Sequence, residues 1–215
     1  MVPVVSVVGS SNVGKTTFLV ELVRELKRRG YRVATVKHDV HGFDIDQPGK
    51  DSWRHAQAGS DAVVISSPQK LALIKQVDHD SSLEEIARLI GDDFDIILAE
   101  GYKNSNMPKI EVHRKALKEE LLCSPDELIA VATDEHLDIP VWQCSLDDIP
   151  KLADFIEQTF LNEPKEEAIL FVDDNPIPLT PFVRSFISET VRGMVSTLKR
   201  VEDPKSIDLR IRKVD

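Results

Sequence analysis

The sequence predicts an α/β fold: a doubly wound, mainly parallel sheet with helices on both faces, followed by a small hairpin-and-helix extension. Three observations predict it. Val2–Val8 is a continuous β-branched run that leads into a glycine turn and then an amphipathic helix. Strand and helix patterns then alternate as far as residue 161. After Asn162, Glu163 and Pro164 the pattern changes to a Pro-flanked hairpin and one long helix.

Val2–Val8 reads as a strand covered on both faces. The helix that follows carries Phe18, Leu19, Leu22, Val23 and Leu26 on one stripe and closes at Arg28, Arg29 and Gly30. A second strand, Arg32–Val36, completes a βαβ unit. Lys37–Lys50 has Asp, His, Gly and Pro without periodicity and is expected to be a loop at the carboxyl edge of the sheet, where ligands bind. Beyond it come a helix over Asp51–Ala58 and strands over Ala62–Ser66 and Leu71–Val77, then a helix over Ser82–Ile90. Strands at Phe94–Ala99, Ile110–Val112, Ile129–Ala132 and Val141–Gln143 and a helix over Leu146–Phe160 complete a nucleotide-binding domain of residues 1–163.

In the extension, residues 164–215, Ile169–Val172 and Ile177–Leu179 flank Asp173, Asp174 and Asn175 as a hairpin. Thr180 is placed to cap a helix that has Pro181 at its first position and runs to Lys199. The alternating Ile207–Ile211 is expected to be a last short strand. On the helix, Phe182, Val183, Phe186, Ile187, Val191, Met194, Val195 and Leu198 form a stripe suited to packing against the body or a second subunit.

The net charge is −10, and it is unevenly spread. Residues 1–164 hold 18 Lys/Arg against 28 Asp/Glu, and residues 165–215 hold 9 against 9. This balance argues against general nucleic-acid binding, which needs a basic stripe. Near the end, Arg192, Lys199, Arg200, Lys205, Arg210, Arg212 and Lys213 make a locally basic tail. No window is apolar for the roughly 18 residues a membrane span needs, so a cytoplasmic protein without a membrane partner is expected. Cys123 and Cys144 have neither zinc nor CxxC spacing and read as ordinary thiols.

Gly9, Ser10, Ser11, Asn12, Val13, Gly14, Lys15 and Thr16 satisfy G-x-x-x-x-G-K-[ST] between a buried strand and a helix, the context of a P-loop NTPase. Backbone N–H groups in such a loop cradle phosphate oxygens, and the helix N-terminus adds partial positive charge. Lys15 is expected to neutralise the β- and γ-phosphates, and the Thr16 hydroxyl to ligate Mg²⁺.

Glu100 ends the strand Ile96–Ala99, where a second metal-associated acid belongs; a plain strand-end charge is the competing account. Asp39 and Asp51 are candidates for ligating Mg²⁺ water or orienting an attacking water, against simple loop polarity. His38 and His41 have the residue type for a transition metal but lack helical i, i+4 spacing. No Asn-Lys-x-Asp guanine reader exists; Thr133 and Asp134, ending a strand, are the placed substitute or else a cap or turn.

These motifs occur in a specific order. The phosphate loop is followed by Lys37-His38-Asp39, then Phe43-Asp44-Ile45-Asp46 with Pro48-Gly49-Lys50-Asp51-Ser52. Next come Glu100-Gly101-Tyr102-Lys103 and Pro108-Lys109-Ile110-Glu111-Val112-His113-Arg114. The ordered set resembles the molybdopterin-guanine dinucleotide biosynthesis protein B (MobB) family over residues 3–161. Pro178–Val183 and Gly193–Ser196 resemble the C-terminal extension of its longer members.

The resemblance implies a homodimeric, weakly hydrolysing GTP-binding protein that assists the nucleotidyltransferase MobA in attaching GMP to molybdopterin. It assigns phosphate and Mg²⁺ to Gly9–Thr17, Thr17 included, and places Asp39, Asp51 and Glu100 around the metal and γ-phosphate. An adaptor role is favoured over a stand-alone GTPase; the low count of acceptor-site residues argues against a small-molecule kinase, and the lack of a Cys-rich or His-rich tract against a metallochaperone.

Overall fold

The computed structural model describes residues 2–117, 120–162, 168–172, 175–199, 204, 206–209 and 211. It divides into two compact units, Val2–Asn162 and the segment from Glu163 onward.

In the first unit, β1 (Val4–Val8) is wholly buried, as its β-branched run requires. The helix α1 (Lys15–Arg28) follows, then β2 (Val33–Lys37), α2 (Asp51–Gln57), β3 (Ala62–Ser67) and β4 (Lys70–Lys75). The rest comprises α3 (Leu83–Ile90), β5 (Ile96–Glu100), β6 (Lys109–His113), β7 (Leu128–Thr133), β8 (Trp142–Ser145) and α4 (Ile149–Ile156). The main sheet has six strands in the order β2-β5-β1-β6-β7-β8, and every pair is parallel.

Both faces of this sheet are covered. Val5, Val7, Ile96, Leu98, Ile110 and Val112 point to one face, where Leu22 and Leu26 of α1 and Leu152 and Ile156 of α4 pack on them. The alternate residues Val4, Ile97 and Ala99 meet Leu83 of α3 on the opposite face. At the end of α1, Arg29 joins the two helices of the first face: it binds Glu25 on its own side, Asp154 of α4 and Glu157 just beyond α4.

Several element ends are set by local chemistry. Ser82 and Glu85 make a reciprocal capping box that starts α3. α4 begins at Ile149, later than the Leu146 start expected from the apolar pattern, because the Asp148 carboxylate accepts from Lys151 N and Pro150 occupies the first turn. Its continuation, Glu157–Leu161, is π-helical.

β3 and β4 do not join the alternating sheet expected across residues 1–161; they form a separate antiparallel hairpin. Only Pro68 and Gln69 connect them, too short a link for a parallel crossover, and the Ser67 hydroxyl closes the turn by accepting from Lys70 N.

The second unit contains a hairpin, β9 (Leu170–Val172) paired with β10 (Asn175–Ile177), whose second strand lies earlier than the expected Ile177–Leu179, so that Asn175, expected in the turn, pairs with Val172; α5 (Pro181–Ser196), capped by Thr180, ends before the expected Lys199. The expected strand Ile207–Ile211 is absent among the described residues of that segment: alternation supplies no strand without an edge to take its hydrogen bonds. The stripe expected to be packed on α5 is largely solvent-facing, with Phe182, Phe186, Met194 and Leu198 all exposed. Asp173 and Asp174 of the turn, and Arg200, Lys205, Arg210, Arg212 and Lys213 of the basic tail, lie outside the described residues.

Candidate functional site

The site forms at the carboxyl end of β1, between β5 and β6, where successive chain connections depart to opposite sides of the sheet. The loop leaving β1 passes so close to β6 that a Cβ on Gly9 would lie 2.5 Å from the Val112 carbonyl oxygen. Glycine is therefore a steric requirement there, apart from its φ of 146°. Gly14, at φ 98° and ψ 20°, turns the chain directly into α1 and leaves the first helical N–H groups facing the loop. Asn12 also takes a left-handed φ of 62°, which an Asn tolerates better than most side chains.

The side chains at the loop's base are joined to the sheet. Lys15 Nζ donates to the carbonyls of Gly9 at 3.0 Å and Ser10 at 2.9 Å, holding the ammonium over the loop. The Thr16 hydroxyl contacts both carboxylate oxygens of Glu100 at 2.8 and 2.9 Å. Arg114, just beyond β6, donates from Nε to the Val13 carbonyl at 3.0 Å and so braces the loop from the other side. A ring of backbone N–H groups, one ammonium and a hydroxyl–carboxylate pair can receive a phosphate group with a hard cation beside it.

Thr133 and Asp134 end β7 at the same edge. The Asp134 carboxylate accepts from Lys115 N at 2.9 Å, while Thr133 is buried with its hydroxyl accepting from Glu135 N. Their neighbour Glu135 binds the buried His113 at 3.1 Å and Lys115 at 3.2 Å; these bonds, His113's first, hold its carboxyl below the ordinary range.

A model of the family described as molybdopterin guanine dinucleotide synthesis protein B matches residues 4–134, a span that includes the phosphate loop, Glu100, Arg114 and Asp134. The chain belongs to the MobB family. A molybdopterin-guanine dinucleotide biosynthesis adapter protein of Haemophilus influenzae is 36% identical over 157 residues, covering 73% of this chain and 88% of the relative. The crystal structure of Bacillus subtilis MobB superposes with a TM-score of 0.57 at 28% identity, over 75% of this chain and 99% of the other. A putative adapter protein of Methanocaldococcus jannaschii, 25% identical, covers 97% of both chains, so the match extends through the C-terminal segment.

Within this MobB fold the candidate acids separate. Glu100 touches Thr16, but Asp39 and Asp51 do not gather around it: among the described residues no group of three or more His, Cys, Asp or Glu side chains could hold a metal ion. The Asp39 carboxylate instead accepts from His41 N at 3.0 Å, a local turn, and Asp51 is an exposed first-turn residue of α2 beside Arg54. His38 and His41 build no metal centre either; His38 Nε2 meets the Asp80 carboxylate at 3.1 Å. Both cysteines are free and buried, and burial pushes the Cys144 thiol up to about 11.

Residues that sequence reasoning missed are those whose role depends on a distant backbone. Arg114 belongs to a motif recognised only as a family marker, and nothing local signals its bond to Val13. Glu111 is buried in β6 and accepts from Leu122 N at 2.6 Å and Cys123 N at 3.0 Å, fixing the segment before β7. A carboxylate at the centre of a strand, between Ile110 and Val112, was the available signal.

Proposed function

We propose that this chain is a GTP-loaded adapter in molybdopterin-guanine dinucleotide biosynthesis. It acts beside a MobA-like guanylyltransferase that attaches GMP to molybdopterin. The observation that carries the reading is the Thr16–Glu100 contact at the base of a complete phosphate loop, in a chain of the MobB family. Both residues present oxygen donors, which is the ligand chemistry Mg²⁺ takes, so the side chains present fit a magnesium nucleotide. When bound, Mg²⁺ would neutralise phosphate charge and polarise the terminal phosphoryl group.

In this reading the N–H groups of Gly9–Thr17 hold the phosphates, Lys15 moves from the Gly9 and Ser10 carbonyls to the terminal phosphates, and Arg114 keeps the loop in shape. The free oxygen of Asp134 reads the guanine edge, while its other oxygen is anchored by Lys115 N. Asp39 and Asp51 lie on the segment after β2, which closes toward the nucleotide in a loaded state. In this reading hydrolysis is slow and the working unit is a homodimer.

The test is formation of the guanine dinucleotide by purified transferase, molybdopterin and GTP, with and without this chain. The chain should stimulate the reaction, and Thr16→Ala should stimulate it much less. Equal rates with and without the chain would overturn the adapter reading.

A further inference from the structure

The phosphate loop lies between two clefts. One, of about 440 Å³, is on the Gly14 side and is walled by Thr17, Arg114 and Asp147. The other, of about 650 Å³, is on the Gly9–Ser11 side and receives Lys15. On the nucleotide reading above, which this inference rests on, Lys15 marks the end where the terminal phosphates lie. The triphosphate then points its γ end into the larger cleft and its nucleoside toward Gly14. The larger cleft remains open to a second ligand, and its volume falls in the ordinary range for small-molecule sites.

Its far wall has its own chemistry. The His38 ring stacks on Tyr102 with centroids 4.4 Å apart and planes 26° from parallel. Asp80 holds His38 Nε2 at 3.1 Å from each carboxylate oxygen, which fixes the imidazole orientation. Tyr102 sits at φ 56°, a left-handed conformation that is strained for a bulky residue and is found most often at ligand-binding and active sites. Asn104 and Asn106 add amides with both donor and acceptor atoms, and Lys103 adds a cation. Between them the Ser105 hydroxyl is shielded from solvent with no hydrogen-bond partner among the described residues. A shielded hydroxyl without a partner is costly unless something else satisfies it.

We infer that this cleft is a second binding site, for a planar heteroaromatic anion of the pterin class. The ring lies against the His38–Tyr102 pair, the asparagine amides take its polar edge, and Lys103 takes its negative charge. A site there brings the second ligand next to the terminal-phosphate end of the nucleotide.

The experiment uses the full chain, a non-hydrolysable GTP analogue with Mg²⁺, and pterin-6-carboxylate as a fluorescent probe. Saturable quenching of the probe is expected with and without the GTP analogue. Tyr102→Asn, which tolerates the positive φ but removes the ring, and His38→Ala should each weaken the probe at least about fivefold, the lower end of a ring–base stack. GTP affinity should be unchanged in both variants, which also reports that they fold. A chain that binds GTP but shows no saturable quenching would overturn the site, and so would a probe displaced completely by nucleotide. Probe binding that is lost in the two variants, in a chain that binds no GTP, would uphold the cleft while removing the nucleotide reading.

Discussion

The Thr16 hydroxyl reaches both oxygens of the Glu100 carboxylate, at 2.8 and 2.9 Å, from a position 84 residues away in the chain. One hydroxyl proton shared between two oxygens ties the first turn of α1 to the end of β5, so the helix start and the sheet edge move as one body. A metal-associated acid and a strand-end charge predict different outcomes for one substitution at this contact.

Glu100→Gln keeps the shape but removes the negative charge. Nucleotide affinity should change little, since the loop amides and Lys15 still hold the phosphates, whereas the Mg²⁺ concentration needed for hydrolysis should rise about tenfold or more. Titrating Mg²⁺ at saturating GTP reads this directly; an unchanged Mg²⁺ midpoint would return Glu100 to the status of a surface charge.

Asp134→Ala should narrow the preference for GTP over ATP by about tenfold, because the polar partner of the purine edge is lost. The same substitution frees Lys115 N, so a small fall in melting temperature should accompany it. Competition of ATP against a fluorescent GTP analogue measures the ratio. Selectivity that survives would place guanine recognition in other groups.

Acid stability should depend on Arg29. Hydrogen bonds from Arg28 and then Arg29 lower the Glu25 carboxyl from 4.5 to about 2. A carboxyl depressed on folding contributes its stability above the unfolded value of about 4.5 and loses it as the pH falls toward about 2. The melting temperature should therefore be flat with respect to this group from neutral pH to about pH 5 and drop between pH 4.5 and 2. Arg29→Met should lower the neutral-pH melting temperature by several degrees, since Glu25, Asp154 and Glu157 all lose the same partner, and should make that acid limb shallower without abolishing it, because Arg28, the larger cause of the Glu25 depression, stays in place. Melts across that pH range check both halves; an acid limb as steep in the variant would show the cluster to be incidental.

The buried strands and capped helices were legible because their signals are local. Val4–Val8 carries valines on both faces, Ser82 and Glu85 sit three apart, and Thr180-Pro181 starts α5 where expected. The separate β3–β4 hairpin was hidden because alternation says which residues form a strand and not which edge receives it. The same gap bears on Ile207–Ile211, where the described residues form no strand. In the site, the loop and Glu100 were readable from spacing, while Arg114 and Asp80 act through residues 101 and 42 positions away, which no local pattern encodes. Asp39 has the right residue type and the right loop, yet its carboxylate is engaged by His41 N, a two-residue turn that composition cannot distinguish from a ligand.

Deleting residues 165–215 should leave GTP affinity unchanged, because the phosphate loop and its core lie wholly within Val2–Asn162. The exposed Phe182, Phe186 and Met194 of α5 predict that the deletion instead weakens self-association or stimulation of the transferase. Sedimentation and the dinucleotide assay on the truncated chain test this; if neither changes, the segment is passive in both respects.

Lys15 gives the most direct test of whether the loop from Gly9 to Thr16 binds a magnesium nucleotide. Among the described residues Lys15 bonds only the Gly9 and Ser10 carbonyls, so its loss should leave the fold intact. Calorimetric titration of Mg²⁺·GTP into the full chain should show one saturable site. In Lys15→Ala, shown by circular dichroism to be folded, the affinity should fall by about a hundredfold, the loss of a charge-assisted contact to phosphate. A folded Lys15→Ala chain that binds GTP as tightly as the wild type would contradict the account.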